Sequence, residues 1–371
     1  MKTTLQVEFD ERELLQDHEV AEPLLAGGVR CHGGFDADGT YVSPRTKHRV
    51  PAIEAWQAQH ASQFGTPLLD PPLTTWPEHY PNVAQARHLI AEGVPQPLIS
   101  TLTRIGTVEG FGANIRHLDP SGMQRHFDEE IKGTGMDHLG RGLFEAHGRD
   151  EAGWEEEAGH RDMWFAARDV AFAGTAAEID VEAMLARMGF GQRTGPGGSV
   201  ERALPSDVDF NVELIAGLMI RVLLIEVQAF HTFAWAEEWL SDPDLVAGEG
   251  EAARLVSYIR ADETPHVGYL RTVLSEMRDR TWVGEGGRKH PGTDMIGTLW
   301  DRALEQSLGA GRQANRAAVV GEVEHWCGRH KRGAAILEGF HAAATTDVDA
   351  AGEGSPSVRA GAPARTDELA G

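Results

Sequence analysis

Two long apolar segments of this chain carry acidic residues near their centres, and this feature restricts the fold more than any other. Glu226 lies in LMIRVLLIEVQAFHTFAW, and Glu263 lies with His266 in VSYIRADETPHVGYLRTVL. The spacing of the apolar residues predicts a helix for each segment. A carboxylate among apolar side chains is costly to bury unless its charge is compensated, and a divalent metal ion is the strongest compensator. The sequence therefore predicts a metal site inside a helix bundle.

Composition sets the size of the core and disfavours several classes of partner. The chain has 371 residues, of which 41% are hydrophobic, so it can bury a large core. Its formal net charge of -23 repels nucleic acids and anionic membranes. Cys31 and Cys327 show neither a disulfide framework nor zinc-binding spacing, and the N-terminus has no apolar leader segment. We therefore expect a soluble, cytoplasmic protein that binds neither nucleic acid nor membrane.

The chain divides into three parts by composition. Residues 1–90 are rich in turn-forming and aromatic residues, which predicts an irregular N-terminal arm with a short β-hairpin around Asp38-Gly39. Residues 91–343 show helical periodicity and predict a helix bundle. Residues 344–371 are rich in Ala, Gly, Pro and Ser, which predicts a disordered tail. The predicted fold class is therefore mainly α with a small β element.

Within the bundle, capping residues and apolar periodicity separate the helices. They predict helices over about 96–118, 123–148, 160–173, 206–240, 251–280, 295–308 and 312–343, with a glycine-rich loop, GFGQRTGPGGS, before the fourth. Consecutive helices joined by short connections pack antiparallel. The helices of Glu226 and Glu263 should therefore bring these two carboxylates side by side, about equally far from the turn that joins them.

The spacing Glu263-x-x-His266 puts a carboxylate and an imidazole on one helix face, within reach of one metal ion. Three other acid-x-x-His matches have weaker contexts. Glu157/His160 lies in an acidic run that predicts a solvated loop, while Glu322/His325 and Glu338/His341 lie on a polar helix. Glu226, Glu263 and His266 are therefore the predicted ligands of one half of the site.

The first helix pair repeats this arrangement less completely. Arg104-x-x-x-x-Glu109 parallels Arg221-x-x-x-x-Glu226, and a similar count into the next helix reaches Glu129 or Glu130. The predicted ligands are Glu109, Glu130, His138, Glu226, Glu263 and His266, with Glu129, His126 and Glu145 as alternatives in this half. The groups predicted to orient them or balance their charge are Asp262, Arg260 and Arg221.

This order of residues resembles the ferritin-like carboxylate-bridged di-iron superfamily. The resemblance covers about residues 95–280 and rests on Glu109, an acidic second helix, Glu226 and then Glu263-x-x-His266. It implies a ferritin-like bundle that binds two iron ions, with manganese as the alternative metal, and that reacts with O2. The chain lacks the first Glu-x-x-His of that superfamily, which leaves open a rearranged di-iron site, a single-metal site or a degenerate bundle.

The resemblance implies an O2-dependent oxidase or oxygenase that hydroxylates, desaturates or N-oxygenates a small organic substrate. An electron-donor protein is a further expected partner, and a homodimer is compatible with the acidic surface. One alternative is a non-catalytic ferritin-like scaffold or partner subunit with a degenerate metal site. Another is a metal-independent enzyme that uses Glu226, Glu263 and His266 as acid and base groups.

Overall fold

The computed structural model describes residues 6–172 and 202–344. The predicted glycine-rich loop and the predicted tail from residue 345 onward lie outside these ranges. The helices are α1 Glu11–Leu14, α2 Arg49–Phe64, α3 Val83–Ala91, α4 Gln96–Gly112, α5 Gly135–His138, α6 Leu143–Ala152, α7 His160–Ala171, α8 Phe210–Leu240, α9 Glu251–Arg278, α10 Gly292–Leu308, α11 Ala310–Cys327 and α12 Gly333–Ala343. The strands are β1 Glu22–Ala26, β2 Val29–Phe35, β3 Tyr41–Val42, β4 Thr281–Val283 and β5 Lys289–Pro291.

The fold is mainly α with a small antiparallel sheet near the N-terminus, so the predicted fold class is confirmed. None of the helices in the described ranges combines the length and the apolar character that a membrane crossing requires.

Two long helices, α8 and α9, pack against each other and form the spine of the bundle. The side chain of Asp209 caps α8 by accepting hydrogen bonds from the backbone N–H groups of Asn211 and Val212. The predicted end at Leu240 and the predicted start at Glu251 agree with the structure. Helix α7 packs on α9 and α4, and α4 also packs on α6, which completes the bundle.

The apolar core lies in two halves along α8 and α9. One half contains α8 residues from Val212 to Val227 and α9 residues from Tyr269 to Met277. The other contains the C-terminal part of α8 and the N-terminal part of α9, up to Ile259. Between the two halves, the same helices bury Glu226, Asp262, Glu263 and His266. The bundle therefore contains a polar layer between two apolar regions, and this layer holds the candidate site.

The N-terminal part contains the predicted hairpin and three helices that were not predicted from the sequence, α1, α2 and α3. Strands β2 and β3 pair antiparallel around the turn at residues 36–40, and β1 pairs with the other side of β2. Helix α2 packs against α9, although the prediction for residues 1–90 was an irregular arm. Its buried face includes Ala52, Ile53 and Trp56, which give it a helical apolar stripe between polar residues.

The predicted helix over 123–148 is wrong for most of its length. The structure has a 3-10 turn at Met123–His126, irregular backbone to residue 134, and the short helix α5, and only then α6. Gly133 and Gly142 adopt positive φ values of 71° and 127°, a conformation that ends a right-handed helix. The predicted helix over 312–343 is likewise divided, into α11 and α12.

Close packing of α4 on α7 depends on Gly106. A Cβ atom at this position would lie 2.8 Å from Cε1 of Phe165 and 3.0 Å from the carbonyl oxygen of Arg161. Gly217 on α8 is a matched helical glycine, because a Cβ there would have no contact within 4 Å. The same substitution should therefore have opposite effects at the two positions.

We expect Gly217→Ala to raise the free energy of unfolding by about 0.5–1 kcal/mol, because alanine has the higher helix propensity. Gly106→Ala should lower it by about 1–2 kcal/mol, since overpacking at the α4–α7 contact outweighs the same propensity gain. Urea unfolding of both variants measures the difference. A gain in stability for Gly106→Ala would contradict the close helix contact.

Candidate metal centre

Seven carboxylate and imidazole side chains meet in the polar layer, and we refer to them as the Glu/His cluster. Its members are Glu109 on α4, His147 and Glu151 on α6, His160 at the start of α7, Glu226 on α8, and Glu263 and His266 on α9. Their exposed fractions lie between 0% and 9%. Five helices thus contribute ionisable groups to one buried region, which is rare unless the charges are compensated.

The ligand atoms of this cluster form two overlapping groups, in each of which all ligand atoms lie within 4.8 Å of one another. The first group contains His147, Glu151, Glu226 and His266, and the second contains Glu151, His160, Glu263 and His266. Glu151 and His266 belong to both groups, so they lie at the centre of the cluster. Two adjoining positions with shared residues are the arrangement that a dinuclear metal site requires.

Individual distances show how tightly the central histidine is surrounded. Nδ1 of His266 lies 2.7 Å from Oε2 of Glu263, 3.2 Å from Oε1 of Glu151 and 3.7 Å from Oε1 of Glu226. Nδ1 of His160 lies 3.0 Å from Oε1 of Glu263. Carboxylates from three different helices thus converge on Nδ1 of His266, and one of them, Glu263, also approaches Nδ1 of His160.

Glu109 approaches this centre from α4. Gly112, one helical turn further along α4, lies so close to α6 that a Cβ there would be 3.2 Å from Cγ of Glu151. The carboxyl of Glu109 interacts electrostatically with Glu151, Glu226 and Glu263. It therefore belongs to the same buried group of charges.

Several cluster atoms make no hydrogen bond, although they are fully buried. They are Nε2 of His147, both carboxylate oxygens of Glu151, Nδ1 and Nε2 of His160, and Oε1 of Glu263. A buried polar atom without a partner costs free energy, and most such atoms in proteins are paired. Metal ions bound in the cluster would satisfy all of these atoms except Nε2 of His160, which faces Asp262, so the donor set fits such ions.

His266 is oriented from the side that faces away from the cluster. Its Nε2 lies 2.9 Å from Oδ2 of Asp150, and this carboxylate is itself held by Arg45 and Arg49. Both guanidinium groups are buried, with side-chain exposed fractions of 3% and 1%. Burial tends to raise the pKa of Asp150, but the two arginines hold it well below the usual value. Asp150 therefore remains ionised and fixes the imidazole ring.

His160 has a similar partner on its outer side. Its Nε2 lies 3.6 Å from Oδ2 of Asp262, a buried carboxylate that accepts a hydrogen bond from the Tyr41 hydroxyl at 2.9 Å. Nε2 of His32 lies 3.1 Å from the same oxygen. A carboxylate behind a histidine fixes the ring orientation and raises its basicity as a ligand.

The third histidine has a different partner. Nδ1 of His147 lies 3.1 Å from the Tyr269 hydroxyl, so its Nε2 faces the carboxylates of Glu151 and Glu226, at 3.7 and 3.6 Å. The ring also stacks on His266 with a centroid distance of 3.9 Å. Each histidine of the cluster therefore presents one nitrogen to the carboxylates and has its other nitrogen near a fixed polar group.

Electrostatics divide the carboxyls into two pairs. Burial and the neighbouring carboxylates raise the pKa of Glu109 and of Glu226 well above the usual value. For Glu151 and Glu263, burial acts in the same direction, but the adjacent histidines hold the pKa at about 2. Neutral Glu109 and Glu226 leave only two ionised glutamates in the cluster.

Two of the histidines complete this balance. Burial lowers the pKa of His160 and of His266, but the surrounding carboxylates, Glu263 first among them, raise both well above the usual value. Two protonated histidines balance two ionised glutamates, so protons alone can make the cluster neutral. A bound cation would have to displace these protons.

The structure places four of the predicted ligands, Glu109, Glu226, Glu263 and His266, in the cluster. Asp262, predicted as an orienting group, lies directly behind it. The pairing of α8 with α9 positions three of these residues, as the spacing of the two long helices predicted.

Glu130 and His138, which were also predicted as ligands, lie outside the cluster. Glu130 is exposed, and its Oε1 accepts a hydrogen bond from the backbone N–H of Lys132 at 3.1 Å. The ring of His138 is engaged by the carbonyl of Thr134 at 2.7 Å and by the backbone N–H of Phe9 at 3.1 Å. The structure corrects this part of the prediction, because residues 123–134 do not form the helix on which the count depended.

The alternatives and two orienting groups also lie elsewhere. Glu129 accepts a hydrogen bond from Thr281 at 2.8 Å, His126 faces Asp209 at 3.9 Å, Glu145 pairs with Arg149 at 2.7 Å, and Arg260 pairs with Glu237 at 3.2 Å. Arg221 is exposed on α8. Those predictions are corrected as well, since each side chain is held or exposed away from the cluster.

Sequence reasoning missed His147, Glu151 and His160. His147-x-x-x-Glu151 is an i, i+4 pair, which shares one helix face as an i, i+3 pair does, so a search over both spacings would have found it. His160 was grouped with Glu157 in a solvated loop, but it is the first residue of α7 and is 0% exposed. No family model, curated protein or solved structure matches this chain.

The two outer aspartates provide a matched test of these electrostatics. Asp150→Asn leaves the buried Arg45 and Arg49 without a counter-ion, so we expect the free energy of unfolding to fall by about 3–5 kcal/mol. Asp262→Asn removes the partner of His160, which can release its proton where an arginine cannot, so the expected loss is smaller, about 1–3 kcal/mol. Urea unfolding of chelator-treated protein measures both, and equal losses would contradict the ion-pair assignment.

Proposed function

We propose that the Glu/His cluster binds two divalent metal ions, iron first and manganese as the alternative, and that the protein is an O2-dependent oxidase or oxygenase. The observation that carries this proposal is the convergence of buried, unpaired ligand atoms in two groups that share Glu151 and His266. A hydrogen-bonded core network would leave few such atoms unpaired.

Charge balance supports two ions rather than one. The cluster contains four glutamates, and when all four are ionised two divalent cations neutralise them. One divalent cation would leave two buried negative charges, which must then be neutralised by protons. With two ions bound, the three histidines can remain neutral, which is the form that binds metal.

The donor types favour iron or manganese. The ligands are carboxylates and imidazoles without a thiolate, and each group supplies two of each kind. Nδ1 of His266 can bind only one of two ions, so each ion would have two carboxylates and one or two imidazoles, which leaves coordination positions open on an ion that accepts six ligands. When bound, a pair of iron(II) ions would supply electrons that reduce O2, and the O2 so activated would be the oxidant of an organic substrate.

The chain itself orients the ligands and keeps bulk water away. Asp150, Asp262 and Tyr269 fix the three imidazole rings, as described above. The two apolar halves of the core enclose the polar layer along α8 and α9. A buried, low-dielectric site strengthens the electrostatic interactions within it and protects reactive species from side reactions.

Two surface cavities adjoin the helix that carries His147 and Glu151. Their volumes are about 670 and 550 Å³, and they adjoin opposite ends of α6, at Phe144 and at Ala152. Because α6 also carries His147 and Glu151, both cavities lie within about one helical turn of a cluster residue on the same helix. We infer that the substrate approaches the centre along α6.

A scaffold with a degenerate metal site is the alternative. The absence of the first Glu-x-x-His favoured that interpretation, but the structure fills the first half of the cluster with His147, Glu151 and His160. This arrangement favours a rearranged dinuclear site over a degenerate one. The remaining difference between the two functions is reactivity with O2.

Metal content tests the dinuclear arrangement. We expect two equivalents of iron per wild-type chain, and none in Glu151→Ala, because this residue belongs to both groups. His147→Ala and His160→Ala each remove a ligand from one group and should retain about one equivalent. Elemental analysis after removal of loosely bound ions measures this.

Glu130→Ala is the control, since Glu130 lies at the surface, and it should retain two equivalents. Two equivalents in Glu151→Ala would contradict the shared position. No metal in the wild type would reject the proposed metal centre altogether.

Oxygen uptake tests the activity. Protein loaded anaerobically with iron(II) should consume O2 faster than the same concentration of iron(II) in buffer, because the cluster holds two reduced ions together. An oxygen electrode measures the rate, and Glu151→Ala should fall to the buffer rate. If the wild type retains two ions but consumes O2 no faster than buffer, the scaffold function is the correct one.

A further inference from the structure

The N-terminal β element contacts the outer side of the Glu/His cluster through His32. This residue lies on β2 and is 1% exposed. Its Nε2 lies 3.1 Å from Oδ2 of Asp262, and its Nδ1 lies 3.4 Å from Nη2 of Arg45. We propose that His32 is a positioning residue that couples the two halves of the metal centre. This inference rests on the metal centre proposed above.

The neighbours of His32 determine which of its nitrogens carries the proton. A guanidinium group only donates hydrogen bonds, so Nδ1 of His32 must accept from Arg45. Nε2 therefore carries the hydrogen and donates to Asp262. This neutral form agrees with the pKa of His32, which burial lowers despite the nearby Asp262. The network thus fixes one tautomer of His32, in which the ring accepts a hydrogen bond from Arg45 and donates one to Asp262.

The two partners of His32 are connected to different histidines of the cluster, Asp262 directly and Arg45 through Asp150. Asp262 lies behind Nε2 of His160 at 3.6 Å. Arg45 donates through Nε to Asp150 at 2.7 Å, and Asp150 lies behind His266. Displacement of His32 would therefore disturb both rings, whose other nitrogens face the shared Glu151.

The same residues permit another interpretation, a third metal position. His32, His160 and Asp262 offer ligand atoms within 4.8 Å of one another. The cationic Arg45 beside His32 disfavours a further cation there. Both oxygens of Asp262 also accept hydrogen bonds from Tyr41, at 3.1 and 2.9 Å. These oxygens are already in use, so the positioning role is favoured.

Cobalt(II) titration against a competing chelator tests this role, with the absorption spectrum of bound cobalt as a second readout. We expect His32→Leu to weaken binding of at least one ion by about 10–100-fold and to change the spectrum, because loss of a group behind a ligand typically costs that much. His32→Gln should recover most of the affinity, since its amide can donate to Asp262 and accept from Arg45.

His138→Leu is the matched control, because His138 is buried to the same degree but lies outside the cluster. It should keep the wild-type metal affinities even if it lowers the free energy of unfolding. If His138→Leu weakens metal binding as much as His32→Leu, the effect is general destabilisation and the positioning role is rejected.

Tyr41→Phe covers the case in which His32→Leu does not fold. It removes the hydrogen bonds that the Tyr41 hydroxyl donates to both oxygens of Asp262 and should weaken metal binding measurably without changing the ion pairs of Arg45. Wild-type affinity in all folded variants would reject the positioning role while the metal centre stands. A third equivalent in the wild type would also reject it. No binding by the wild type would instead reject the proposed function itself.

Discussion

Compensation of buried negative charge is the constraint on which this structure depends. Glu109, Glu151, Glu226 and Glu263 lie in one region from which water is largely excluded. Burial and mutual repulsion raise the pKa of Glu109 and Glu226, while the surrounding carboxylates raise the pKa of two of the histidines, His160 and His266. The cluster must therefore hold protons or cations in order to be stable. Helices α4 and α6–α9 are thereby linked to the occupancy of a single site.

The position of the polar layer between two apolar regions makes this constraint tolerable. Apolar burial in both halves stabilises the packing of α8 against α9 on either side of Glu226. This favourable free energy offsets the cost of burying the charged groups of the polar layer. The outer groups then limit how far the ligands can relax. Because Arg45 and Arg49 hold Asp150, the side of His266 that faces away from the cluster is fixed before any metal binds.

The half of the site that contains Glu226, Glu263 and His266 was predictable from sequence. It depends only on the spacing of residues within a helix and on the short connection between two helices. Glu263 and His266 share a helix face, and the short connection after Leu240 aligns them with Glu226. The first half was not predictable by the same count. The cluster residues of that half begin on α6, after a segment interrupted by the positive φ of Gly133 and Gly142. Helical periodicity alone does not reveal such interruptions, which depend on backbone conformation at single residues.

The two halves share a further pattern that single-helix spacing does not show. Asp150-Glu151 and Asp262-Glu263 are adjacent pairs in which the glutamate points into the cluster and the aspartate lies behind a histidine of another helix. Successive residues on a helix point about 100° apart. The glutamate of a pair can therefore face the cluster while the adjacent aspartate faces a histidine from outside the cluster. The same pair also occurs at residues 10–11, where the aspartate precedes the short helix α1, and at residues 128–129, where the backbone is not helical, and neither pair forms part of the site. An Asp-Glu pair is therefore informative only inside a helix. There the glutamate can face the cluster while the aspartate contacts a histidine on a neighbouring helix.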